Sequence, residues 1–118
     1  MTPEEAMERL NALLSHAWMV RAFLKHADEA QEDEDLLEVH RTIFDYIRAV
    51  EPSYLRRDPQ EYLRRARGKL SKLRQAAEFF GREYRRVSDH TNFEMAARSL
   101  STCVGEIEKV LQAVATSG

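Results

Sequence analysis

The sequence predicts an all-α protein: an antiparallel, up-down-up-down four-helix bundle formed by a single domain over residues 1–118. Three observations carry that expectation. Ala, Leu, Glu, Arg and Lys supply about half of the 118 residues, whereas Val and Ile together supply only 10, poor material for a sheet. Four segments repeat apolar residues at the helical period. Three Pro and four Gly leave little punctuation for long loops, and short links between amphipathic helices favour antiparallel neighbours.

The first helix is expected over about 3–29. Thr2-Pro3-Glu4-Glu5 opens it with a cap residue, Pro at the first helical position and a carboxylate three residues after the cap. Ala6, Leu10, Leu13, Ala17, Val20 and Leu24 share its apolar face. The second helix, about 34–50, starts among Asp33, Glu34 and Asp35, which suit the positive end of a helix dipole, and carries Leu36, Val39, Ile43, Ile47 and Val50 on one side. Pro52 and Pro59 bracket the link to the third helix, about 59–86, which Asp58-Pro59-Gln60-Glu61 opens. Its stripe is Tyr62, Ala66, Leu70, Leu73, Ala77, Phe80 and Tyr84, and Gly81 is a candidate end or kink. Thr91-Asn92-Phe93-Glu94 opens the fourth helix, about 92–115, with Phe93, Ala97, Leu100, Val104, Ile107, Leu111 and Val114 as its stripe. Val87-Ser88-Asp89-His90 argues against one continuous helix from 59 to 115.

No apolar run approaches the ~20 residues that span a bilayer, and the acidic N-terminus lacks the order of a signal peptide, so a membrane role is not expected. Cys103 is the single cysteine, which points to a reducing cytoplasm. Charge is uneven. Residues 1–55 carry a net −7 and residues 56–86 a net +7, within an overall −2. Arg64, Arg67, Arg74, Arg82 and Arg85 lie on the side of the third helix away from its stripe, and an arginine-rich face can hold phosphates. Arg64, Arg67 and Arg74 are therefore the phosphate or nucleic-acid candidates. The favoured expectation is self-neutralisation: Glu4, Glu5 and Glu8 against Arg56, Arg57, Arg64 and Arg65 at one end, and the acidic 28–35 link against Arg82, Arg85 and Arg86 at the other. That link lacks the ligand order and central Gly of a calcium loop.

His40 sits in the middle of the second stripe, where an imidazole needs a hydrogen-bond partner. His90 and Glu94 are four residues apart, and the helical rise puts His40 about 9 Å and Glu94 about 5 Å from the same end of the bundle. His40, His90 and Glu94 are thus the candidate metal set. The favoured expectation is a core histidine satisfied by one polar neighbour, with no metal. Cys103 reads as a small core residue, Ser99 and Ser101 have no evident base, and no Gly-rich phosphate loop, CxxC pair or nucleotide fingerprint is present, so no cofactor is expected.

Two short resemblances remain. Ser15-His16 followed by Arg21 resembles the phospho-accepting box of sensor histidine kinases over three residues, with Ala17 where an acidic residue stands in that box. Arg85-Arg86-Val87-Ser88-Asp89-His90 resembles the Arg-x4-His motif of the HEPN helical-bundle ribonucleases. That resemblance implies that Arg85 binds a phosphate and His90 transfers a proton at a dimer cleft. Arg86 stands where the motif has Asn or Asp, and Arg21 and His26 repeat the spacing.

Apolar residues of the first helix run round about 220°, more than one core face requires, and place Met7 and Trp18 on a flank. Phe79 lies about 140° from the centre of its stripe. Met7, Trp18 and Phe79 are the interface candidates, buried against a second chain or, for Trp18, against a neighbouring helix. The function expected is a small cytoplasmic protein that works through protein–protein contacts, as a homodimer or with an unidentified protein partner. A HEPN-like ribonuclease or nucleic-acid-binding bundle is the first alternative and a His/carboxylate metal protein the second.

Overall fold

In the computed structural model, which describes residues 1–117, Thr2 opens α1 (Pro3–His26) with the reciprocal box anticipated from the sequence. Its hydroxyl accepts the Glu5 N–H at 3.1 Å and the Glu5 carboxylate accepts the Thr2 N–H at 2.9 Å. The helix stops at His26, three residues short of the predicted end. Ala27 turns the backbone extended, and Asp28–Gln31 forms a separate single turn, α2. The dipole supplies the reason: Asp28 and Glu29 would face the negative end of α1, whereas in α2 they occupy a positive first turn. The Gln31 side-chain amide donates back to the Lys25 carbonyl.

Asp33 caps α3 (Glu34–Leu55) by accepting the Leu36 N–H at 3.1 Å. This helix runs through Pro52, five residues past the predicted end at 50. Pro52 is exposed and sits in the last turn, where the one missing N–H frees a carbonyl close to solvent. The link to α4 therefore shrinks to Arg56–Asp58. Arg57 adopts φ 56°, the left-handed region, and its guanidinium reaches Glu8 at 2.6 Å and Glu4 at 3.6 Å.

Asp58 caps α4 (Pro59–Val87) through the Glu61 N–H at 3.2 Å, and the helix passes Gly81 without a break. Glu61 makes no return bond to its cap; it holds Arg64 and Arg65 instead. After the link 88–90, α5 spans Thr91–Ser117. His90, not Thr91, supplies its cap: the Ser88 hydroxyl accepts the His90 N–H at 3.1 Å, which turns the imidazole so that Nδ1 accepts the Asn92 N–H at 3.0 Å.

The protein is thus all-helical, with five helices and no strand among the described residues. α1 packs on α3 and α5, α4 packs on α3 and α5, and α1 also meets α4. The longest dimension, 43 Å, is the length of the 29-residue α4 at about 1.5 Å per residue. The buried apolar residues form one cluster, in which every member of the α5 stripe is buried. Leu13, Ile47 and Leu70 are half-buried at its margin, while Leu14 and Tyr46 lie inside it. The Tyr46 hydroxyl donates to the Ala66 carbonyl at 3.0 Å, which ties α3 to α4 inside the core. No helix among the described residues is long and apolar enough to cross a membrane.

Asp33 also accepts from Arg86 at 2.8 Å, and this guanidinium, with help from the Leu36 N–H, holds its carboxyl below the usual carboxylate range. A lowered folded pKa means stability that is complete above the unfolded value, about 3.9, and is lost as pH falls below it. Asp33→Ala is expected to cost about 1 kcal/mol in urea unfolding at neutral pH. It is also expected to flatten the acid limb of the stability curve; an unchanged acid limb would remove Asp33 from that role.

Candidate functional site

The basic face predicted on the third helix is paired with carboxylates in part, at Arg64 and Arg74. Arg64 and Arg65 share Glu61 at 2.6 and 2.9 Å, Arg74 holds Glu108 of α5 at 2.8 Å, and Arg67 donates to the Leu111 carbonyl at 3.5 Å. Charge also pairs across the two ends, Arg57 with Glu4 and Glu8, and Arg86 with Asp33 and Asp35. Arg64 and Arg65 thus find their acid on α4, not on α1.

Arg85 and His90 are occupied separately. Arg85 Nε donates to the Tyr84 hydroxyl at 3.2 Å, and His90 caps α5 through Nδ1. The metal candidates are also taken apart. His40 Nε2 accepts from Arg21 Nη1 at 3.1 Å, and Glu94 pairs with Arg98 at 3.5 Å. No group of three or more His, Cys, Asp or Glu among the described residues is placed to hold a metal ion, and a guanidinium against His40 opposes one. Cys103 is buried, donates to the Leu13 carbonyl at 3.1 Å, and has its thiol pushed up to about 11 by that burial.

Met7 is fully buried in the core and presents nothing to a second chain. The wide apolar arc of the first helix has an internal explanation: α1 is covered by α3, α5 and α4 together. Trp18 is half-buried, with the Phe44 ring 6.4 Å away and the Arg21 guanidinium 4.0 Å from its centroid. Phe79 is half-buried beside Val39, Thr42 and Ala76 in an open cleft between α3 and α4.

Two features lie outside the candidates read from the sequence. The first is an apolar groove between α1 and α5. Leu13, His16, Met95, Ser99, Thr102 and Cys103 line one half, and Met19, Val20 and Phe23 continue it past Met95 and Ser99. Met19 and Met95 stand 65% and 47% exposed on its rim. Their signal was present in the spacing, since Met19 falls outside the stripe of its helix. The second feature is Arg21, 8% exposed, stacked on Trp18 and Phe44 beside His40. An arginine between Val20 and Leu24, across from a histidine in the neighbouring stripe, was the readable sign.

Comparisons with protein-family models, curated proteins and solved structures find no match to this chain.

Burial first, then the charges of Arg21, Lys25 and Arg41, lower the His40 pKa. The neutral ring is thereby kept as an acceptor for Arg21. The lowered value means that His40's contribution is complete above the unfolded pKa, about 6.5, and declines as pH falls below it. His40→Leu is expected to cost about 1–3 kcal/mol, because a buried charged donor loses its acceptor. The double variant Arg21→Met/His40→Leu should recover most of that loss in a double-mutant cycle. A zero coupling energy would show that the pair makes no bond.

Proposed function

We propose that the protein is a cytoplasmic helical interaction module that pairs with a second copy of itself across the α1/α5 groove. Its four long helices form an up-down-up-down antiparallel bundle, with α2 as the elbow between the first two. The observation that carries this reading is the exposure of Met19 and Met95 on one apolar groove. They are two of the four large apolar side chains exposed among the described residues. Methionine suits such a surface, because an unbranched, polarizable side chain adapts to what it meets.

Charge favours a second copy as the occupant. Met95, Ser99, Thr102 and Glu106 follow one another along the groove side of α5, flanked by Arg98, Gly105 and Lys109. Turned end for end about Thr102, α5 sets Arg98 against the partner's Glu106 and Glu106 against the partner's Arg98. Met95 then meets the aliphatic stem of the partner's Lys109, and Ser99 meets the partner's Gly105, where small side chains let the helices approach. Such self-complementarity is what a twofold contact requires. The present partners of these charges, Glu94 for Arg98 at 3.5 Å and Lys109 for Glu106 at 3.3 Å, are local surface pairs worth little to exchange. The lone buried cysteine accords with a reducing compartment.

Light scattering is expected to give a dimer mass for the native chain. Arg98→Glu and Glu106→Arg should each give monomers with unchanged helical circular dichroism. Mixing the two variants should restore a dimer, because each then supplies the charges the other lacks. A native monomer at every accessible concentration would overturn the reading, as would variants that stay dimeric alone.

A further inference from the structure

The cleft between α3 and α4 is divided by charge. Asp35, Glu38 and Asp45 are the charged residues that line it from α3, and Lys69 and Lys72 are those that line it from α4. One wall is therefore wholly negative and the other wholly positive. No ion pair crosses the gap, although Glu38 and Lys72 border the same stretch of it. Glu38 turns instead to Arg41 of its own helix at 3.2 Å, and Asp35 to Arg86 at 3.6 Å. Asp45, Lys69 and Lys72 have no ion-pair partner among the described residues.

Between the walls the floor is apolar. Val39, Tyr46 and Ala76 are buried there, and Phe79 stands half-buried beside them. The trough runs from Asp35 to Asp45 on one helix and from Lys69 to Phe79 on the other, about 15 Å of each. Its wider part has a volume of about 380 Å³, and the continuation past Thr42 adds about 100 Å³. The wider part is open to solvent, whereas a small-molecule site encloses most of its ligand. An apolar strip two to three turns long, edged on both sides by charge, is the complement of an amphipathic helix.

We infer that this cleft receives an amphipathic helix of a partner protein, laid along α3 and α4 with its apolar stripe on Phe79, Val39 and Ala76. The partner helix carries Lys or Arg on the flank over α3 and Asp or Glu on the flank over α4. Phe79 is the anchor, since aromatic side chains desolvated by a partner carry much of the binding energy of an interface. The walls supply selectivity more than affinity, because exposed ion pairs are individually weak while like charges repel. They also set direction: turning a helix end for end exchanges its flanks, so only one direction matches both walls. The inference goes beyond self-association, which uses α1 and α5 and leaves this cleft free.

The probes are three fluorescein-labelled peptides of about 18 residues, long enough to hold a helix in water. All carry one leucine stripe; the first is flanked by Lys on one side and Glu on the other, the second by Lys on both sides and the third by Glu on both. Fluorescence anisotropy with the native chain is expected to show saturable binding of the first peptide, with the other two at least about tenfold weaker, the size of two or three exposed pairs lost. Lys69→Glu/Lys72→Glu, at exposed positions, should leave the helical circular dichroism unchanged and make the doubly Lys-flanked peptide the tightest. Phe79→Ala should weaken the first peptide by about tenfold or more. The exchanged preference of the lysine variant tests the cleft even where Phe79→Ala fails to fold. Binding of no peptide, equal binding of all three, or a preference unchanged in Lys69→Glu/Lys72→Glu overturns the inference. Self-association of the native chain that is lost in Lys69→Glu/Lys72→Glu and kept in Arg98→Glu assigns the cleft to a second copy, and overturns it too. Failure of the α1/α5 contact alone leaves the peptide titrations unaffected.

Discussion

Burial of the α5 stripe against α1 and α4 is the interaction on which the other features hang. Phe93, Leu100, Val104, Ile107 and Leu111 are all inside the one apolar cluster, and Phe93 meets Phe23 edge-to-face at 4.9 Å. Each fully buried side chain of this size contributes about 1.5–3 kcal/mol, so the stripe outweighs every surface pair in the molecule. Once α5 lies along α1, Cys103 meets the Leu13 carbonyl and the two rims enclose a groove. The same packing leaves α3 to cover the opposite side of α1, which presses Trp18 and Arg21 onto Phe44.

Electrostatics then divides the arginines into two kinds. Those of α4 stand at the surface, where carboxylates reach them from their own helix, from α5 and from the acidic segment before α3. Their number made them conspicuous, and Arg64, Arg65, Arg74 and Arg86 are met by carboxylates, while Arg67 and Arg85 reach only a backbone carbonyl and a tyrosine hydroxyl. Arg21 is single and enclosed. Its charge is met by aromatic faces and an imidazole, none of which neutralises it. Composition draws attention to the first kind, and chemistry to the second.

Much of the fold was legible because it depends on short-range rules. The caps at Thr2 and Asp58 and the α5 stripe are set by neighbours within a turn or two, and such signals survive in one dimension. What escaped depended on sums over distant parts. Pro52 stays helical because only the last turn is at stake, and α1 yields to α2 because carboxylates prefer the other pole of a dipole. Met7 lies on an arc that looked too wide for one core face, and only the placement of three neighbouring helices shows that its Met7 flank is covered, while Leu13, Trp18 and Phe23 stay half-buried. His40 was conspicuous as a polar residue in an apolar stripe. Its partner was not, since Arg21 is 19 residues away and paired by the crossing of two helices.

The turn between α3 and α4 rests on a bargain between near and far. Arg57 holds a left-handed backbone that a side chain with a Cβ adopts only at a cost, while its guanidinium spans 49 residues of chain to reach Glu8. Tyr54 donates to the same carboxylate at 3.1 Å, so both sides of the turn lean on the first helix. An isolated α3–α4 hairpin therefore has a strained corner and nothing to relieve it. The corner gains its contacts to Glu8 only from the N-terminal helix, so the two helices that meet there depend on a third for the shape of their link.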